Sequence, residues 1–256
     1  LQQLIRAGEV AREEIIVVSK IGYVQGQNLA QAKTREKSGK PYPDMVKYGD
    51  DIWHCIHPEF LADQLTLSLD RLGLATLDVC LLHNPEYFLS HATRLGAGEQ
   101  RELPTVRDEF YARLQLAFEY CERQVEAGRL RGYGVSSNTS TASPDEPGAT
   151  SVSRMIEAAK AAAKNVGAAA HHFTVLQCPM NVHESGAALI KNTGPDNGST
   201  LLDEALREGV AVLVNRPLNA MPAQRGGVVR LADVPVPAPE ADFETQRQKV
   251  ALLEEE

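Results

Sequence analysis

Apolar residues in this chain follow two rhythms. Short unbroken runs alternate with stretches in which an apolar position recurs every three or four residues. The run 15–20 (IIVVSK) suits a strand buried on both faces, 77–83 (LDVCLLH) reads as the next buried strand, and 131–136 (RGYGVS), 173–179 (FTVLQCP) and 210–214 (VAVLV) read as further short strands. Between them, Leu61, Leu65, Leu69 and Leu72 mark a helical face opened by Pro58 and closed by Gly73. Val106, Phe110, Leu114, Phe118, Cys121 and Val125 mark a longer helix, stopped by Gly128. Ser151 is placed to cap a helix running to about Val166. Ser199 is placed to cap one that carries Leu201, Leu202, Ala205 and Leu206 and ends at Gly209. Residues 1–12 read as a helix end with Leu4 and Ile5 turned inward. Residues 21–56 and 84–105 show little periodicity and read as long loops, and 137–150 as a Ser/Thr/Pro-rich loop. A Pro-rich stretch, 234–239, leads into a polar helix.

Regular strand–helix alternation predicts an α/β protein with a parallel sheet covered by helices, built from five βα units. A closed barrel and an open doubly wound sheet share that alternation. No strand is followed by GxGxxG, which weakens the dinucleotide-binding version of the open sheet.

Composition narrows the function. The 256 residues include 43% apolar and 23% charged residues, enough for a real core. The net charge of −8 gives no general attraction to nucleic acid or anionic lipid. No apolar run approaches the roughly 20 residues of a membrane helix, and no signal peptide is evident, so a cytoplasmic protein is expected. Cys55, Cys80, Cys121 and Cys178 form no CxxC pair and read as buried thiols. His54, His57, His171 and His172 lack ligand spacing such as HExxH and read as loop residues, so no metal is expected.

In a parallel barrel, chemistry gathers at the C-terminal ends of the strands. Those ends here are Lys20, His83, Ser136 with Ser137, Gln177, and Asn215 with Arg216. Each has a bland alternative. Lys20 could be an exposed strand-end lysine, and His83 a satisfied rim histidine. The serines could cap a loop, Gln177 could bond frayed backbone, and Arg216 could pair with a surface carboxylate. Together, a lysine and a histidine on one rim can perturb each other and a nearby phenol, while hydroxyls and an amide can hold a polar ring.

The words around these residues resemble the aldo-keto reductase family. IIVVSK looks like its lysine strand. SLDRLGLATLDVCLLHNPE resembles its helix ending RLGL followed by a strand ending in histidine. FEYCERQVEAGRLRGYGVSSN, VLQCPMN and VLVNRPLN are similar to the segments that follow, over roughly residues 1–220. The resemblance implies a (β/α)8 barrel and a reduction of aldehydes or ketones that depends on NAD or NADP. It makes Lys20 and His83 catalytic. Lys20, steadied by an Asp, would lower the pKa of a proton-donating Tyr. His83 would orient the carbonyl and stabilise developing charge. Ser136, Ser137, Asn138 and Gln177 fall where the family holds the nicotinamide carboxamide. Asn215 stands where many members stack an aromatic ring, and Arg216 could reach a phosphate or ribose.

The family's Asp and Tyr come from a strand upstream of the lysine strand. The chain is therefore expected to be one partial barrel domain, residues 1–256, with strands 3 to 7 and without the first two strands and the last. Its open edges predict that it folds poorly and is inactive alone. Tyr23, three residues after Lys20, is the nearest tyrosine that could substitute. Asp78 reads as support for the barrel. Two other functions compete: a non-catalytic nucleotide-binding or interaction protein on the same scaffold, and Schiff-base chemistry at Lys20. Tyr23, Tyr42, Tyr48, Trp53, Tyr87 and Phe88 predict an aromatic-lined pocket but no particular ligand; the resemblance implies a small carbonyl or alcohol substrate.

Overall fold

In the computed structural model, residues 1–94, 102–221 and 227–231 are described below. The chain divides into two compact units, Leu1–Pro217 and Leu218–Glu256.

The first unit is built on five parallel strands: β1 (Val18–Ile21), β2 (Leu77–His83), β3 (Leu130–Ser136), β4 (Phe173–Pro179) and β5 (Ala211–Asn215). Their order in the sheet is their order in the chain. A doubly wound sheet reverses direction at a switch point, and this one never does. With right-handed crossovers, steady progression puts every helix on one side and leaves the other face for a barrel interior.

The helices are α1 (Gln2–Arg6), α2 (Gly26–Lys37), α3 (Pro58–Leu72), α4 (Tyr87–Arg94), α5 (Leu103–Glu126), α6 (Val152–Val166), α7 (Gly186–Leu189) and α8 (Leu201–Arg207). The core lies between sheet and helices. Phe110, Leu114, Phe118 and Cys121 of α5, with Met155, Ile156 and Ala159 of α6, pack on Cys80, Leu82, Tyr133, Val135, Phe173 and Leu176. The interior face carries a separate small cluster of Val79, Leu81 and Val175, with Leu213 against it. Gly134 stands in this layer, where a Cβ would lie 1.7 Å from the Val175 carbonyl oxygen. Only glycine lets β3 and β4 approach so closely at the register shift between Tyr133 and Gly134.

Several sequence expectations need correction. The long loop 21–56 contains α2 and a small antiparallel sheet of Tyr23–Val24, Trp53–His54 and Val46–Lys47. Polar helix faces and two-residue strands leave no periodic signal long enough to read. The described part of 84–105 begins with α4, and α5 starts at Leu103 rather than Val106. Strand 15–20 is shorter and is not buried on both faces: Ile16 is 78% exposed and Val18 37%. Among the described residues, β1 has a strand neighbour on one side only. Leu4, expected to turn inward, is exposed. Thr200 rather than Ser199 caps α8, exchanging hydrogen bonds with Asp203 in a capping box. Ser151 occupies the N-cap of α6, but its hydroxyl bonds Ser153 and Thr193. Cys55, Cys80, Cys121 and Cys178 are free and buried, as their apolar surroundings in the sequence suggest.

In the second unit, the described residues form a two-stranded antiparallel ladder, Asn219–Ala220 with Val229–Arg230. The Pro-rich stretch 234–239 and the polar helix lie outside the described residues.

Candidate active site

Side chains alternate across a strand, so register decides which strand-end residues share a face. Lys20 pairs with Leu81, His83 with Ser136, Ser136 with Gln177, and Leu213 with Gln177. Lys20, His83, Ser136, Gln177 and Asn215 therefore stand on the interior face, above the Leu81 and Val175 layer. Ser137 falls on the opposite parity. Strand ends that are equivalent in the sequence are sorted by this alternation.

The interior residues are joined. The Lys20 ammonium donates to Ser136 Oγ at 3.3 Å and to Gln177 Oε1, and Ser136 Oγ donates to Gln177 Oε1 at 3.1 Å. Lys20 is on β1 and Gln177 on β4. In a flat sheet these strands would be about 14 Å apart, too far for upright side chains to meet. The contact requires the curl of a barrel wall.

Burial and then the Lys20 charge push the His83 pKa down to about 4, so its ring is neutral at neutral pH. Partial desolvation lowers the pKa of Lys20 as well. The His83 carbonyl accepts from His54 Nε2 at 2.7 Å, which fixes the proton of that buried ring on Nε2. Burial pushes the His54 pKa down to about 4. Gly22 makes room for this contact: a Cβ there would lie 2.5 Å from the His83 oxygen and 2.7 Å from His54 Nε2.

Tyr23 meets the His83 ring edge-on with centroids 4.7 Å apart, and Tyr87 at 5.2 Å. Its hydroxyl accepts from Asn84 Nδ2 at 2.7 Å. Burial raises its pKa, the wrong direction for an activated proton donor, and Lys20 makes no hydrogen bond to it. The expected aromatic pocket is only partly realised. Tyr42, Trp53 and Phe88 are buried in the core, whereas Tyr23, Tyr48 and Tyr87 cluster beside His83.

The remaining candidates lie around this centre. Ser137 is fully buried; its hydroxyl meets Thr150 Oγ1 at 3.2 Å and accepts from the Thr139 N–H at 3.2 Å. It anchors the loop rather than joining Lys20. Asn138 has an exposed side chain, and its N–H donates to Glu86 Oε1 at 2.7 Å. Asn215 is half-buried, and its Oδ1 is buried without a hydrogen-bond partner. Arg216 takes a left-handed backbone, φ 56°, and its Nη2 donates to Glu184 Oε1 at 2.6 Å.

Sequence reasoning misses three groups beside the site: His54, Asn84 and Glu86. His54 reads as a loop residue but sits in a buried strand. Asn84 and Glu86 follow directly on the His83 strand, and that adjacency is the available signal. His57 caps α3, and His172 Nδ1 pairs with Glu122 Oε2 at 2.7 Å. Among the described residues, no three His, Cys, Asp or Glu side chains gather as metal ligands, and no helix is long and apolar enough to cross a membrane.

Residues 1–146 match the model of the aldo/keto reductase family. Similar solved structures include a holo-form aldo-keto reductase from Bacillus halodurans, 16% identical with a TM-score of 0.44, matched over 99% of this chain and 57% of its own. Another is a Bombyx mori aldo-keto reductase in complex with NADP, 15% identical with a TM-score of 0.42, matched over 99% of this chain and 55% of its own. The chain spans just over half the length of these proteins. Comparison with curated proteins gives no match. The five-stranded sheet and its helices are part of that family's (β/α)8 barrel, and with more than half of its length matched the chain belongs to the aldo/keto reductase family.

Proposed function

We propose that the chain is part of an NAD(P)H-dependent oxidoreductase that interconverts a small aldehyde or ketone and its alcohol. The observation that carries the reading is the joined set Lys20, Ser136 and Gln177 beside a neutral His83, on the interior face of a parallel wall.

The residues suit a carboxamide-bearing ring. Ser136, Asn138, Gln177 and Asn215 offer hydroxyl and amide groups, and Asn215 Oδ1 is a buried acceptor without a partner. An amide N–H there would relieve the cost of leaving it unpaired, about 1–3 kcal/mol. When bound, the nicotinamide supplies the hydride. Ser137 supports the same loop from beneath. Arg216, one residue beyond Asn215 and paired with Glu184, would meet the ribose or phosphates.

His83, neutral at working pH, orients the substrate carbonyl by donating a hydrogen bond to its oxygen. Lys20 contributes positive charge that favours the ionised form of a nearby proton donor. The resemblance gives that role to a tyrosine upstream of the lysine strand. Tyr23, held by Asn84 with its pKa raised, is not set up to replace it. The same reading keeps the protein cytoplasmic and residues 1–256 as one partial barrel domain.

Fluorescence titration with NADPH and NADH tests the cofactor half of this proposal, with Gln177→Leu and Asn215→Leu as comparisons. Saturable binding weakened about tenfold by either change is expected, the scale of one lost polar contact. No binding by a chain that includes the missing barrel strands refutes it. Binding with no aldehyde reduction by a chain that includes the upstream tyrosine favours the non-catalytic alternative.

A further inference from the structure

Two rim loops are tied together by a carboxylate that the proposed chemistry does not use. Glu86 lies three residues after His83 and is 4% exposed. Its Oε1 accepts from the Asn138 N–H at 2.7 Å, across to the loop that follows β3. The Ser137 hydroxyl and the Thr139 N–H lie close enough to favour its charged form. Asn84 adds a second tie: its N–H donates to the Ser136 carbonyl at 2.7 Å and its side chain to the Tyr23 hydroxyl. Glu86 Oε2 is buried without a hydrogen-bond partner.

We infer that Glu86 is a positioning residue: its carboxylate holds the backbone of residues 137–139 in register with the end of the His83 strand. Its importance for the cofactor rests on the function proposed above, whereas its hold on the loop does not.

A carboxylate among N–H and O–H donors binds more strongly when ionised, because charge-assisted hydrogen bonds are about twice as strong as neutral ones. Burial opposes ionisation and pushes the Glu86 pKa up to about 7, against an ordinary value near 4.5. The donors around it, its own N–H and those of Asn138 and Thr139 with the Ser137 hydroxyl, pull the other way. The Tyr23 phenol, from the small antiparallel sheet, is near enough for the Glu86 charge to help raise its pKa. The tie is therefore firm above neutral pH and slack below it. The loop that carries Asn138 inherits that dependence.

Two measurements separate this inference from the function proposal. In the first, the Asn138 amide is followed by NMR and hydrogen exchange from pH 5.5 to 8.5 without cofactor. Its resonance is expected to titrate near neutral pH and its exchange protection to rise about fivefold to tenfold on ionisation. An amide that does not titrate there overturns the inference, whatever the chain binds. In the second, NADH affinity is measured over the same range for wild type, Glu86→Gln and Glu86→Asp. Wild type is expected to bind more tightly at high pH, Glu86→Gln to lose that dependence, and Glu86→Asp to keep it. A Glu86→Gln protein with the wild-type pH profile refutes the positioning role. If no form binds NADH while the Asn138 amide titrates, the function proposal fails and the tie stands.

Discussion

Replacing Asp78 with alanine is expected to open the seam between β1 and β2 at the end remote from the site. Asp78 is 7% exposed near the start of β2, where it is followed by the apolar residues 79–82. Its Oδ2 accepts from the Val17 N–H at 2.7 Å and from Arg12 Nη2 at 2.8 Å, and its Oδ1 faces Arg131 Nη1 at 3.0 Å. Burial alone would raise its pKa. The Val17 N–H, then Arg12 and Arg131, outweigh burial and hold the carboxyl below the usual aspartate range.

Breaking a buried pair from one side typically costs about 3–5 kcal/mol. Arg131 is 61% exposed and contributes little, so about 3 kcal/mol is expected here. Urea unfolding followed by Trp53 fluorescence reads this as a midpoint about 1 M lower. Because the folded pKa is depressed, the stabilisation is present above the ordinary aspartate pKa and is lost as pH falls through the lower folded value. The gap between wild type and Asp78→Asn should therefore be full at pH 7 and close in acid. A midpoint shift under about 0.3 M, or a gap unchanged in acid, would show that backbone pairing holds this seam without the carboxylate.

Gly134→Ala forces a Cβ against the Val175 carbonyl oxygen and is expected to cost more than about 3 kcal/mol, read as lost soluble protein or a lower urea midpoint. Glu122, fully buried, accepts from the Tyr133 hydroxyl, the His172 N–H and the His172 ring, so Glu122→Ala is expected to cost about 3 kcal/mol and Tyr133→Phe about 1 kcal/mol. Equal losses would refute that ranking. His54 is buried and neutral with its pKa pushed down to about 4. The unfolded chain therefore takes up its proton first on acidification, and stability is expected to fall between about pH 6.5 and 4, by up to about 3 kcal/mol. His54→Gln should flatten that limb. NMR titration of His83 should likewise find a neutral ring down to about pH 4.

Much of the wall is legible in the sequence. The 77–83 run, the α3 leucine face and the α5 and α6 stripes follow from burial, because a residue that must face the core repeats with the period of its element. The antiparallel strands Tyr23–Val24, Val46–Lys47 and Trp53–His54 are not legible, because they are two residues long and are made by partners distant in sequence.

The candidate site divides in the same way. Sequence alone supplies the residue types at five strand ends, since a parallel α/β wall puts polar groups there. It also supplies the family resemblance, since the words around Lys20 and His83 are local. Tertiary structure decides that Ser136 faces Lys20 while Ser137 turns into its loop, because strand register sets which parity faces the interior. It also brings Lys20 to Gln177 and Glu86 to Asn138. Those contacts depend on sheet curl and on buried donors from other loops, which no periodicity in the chain records.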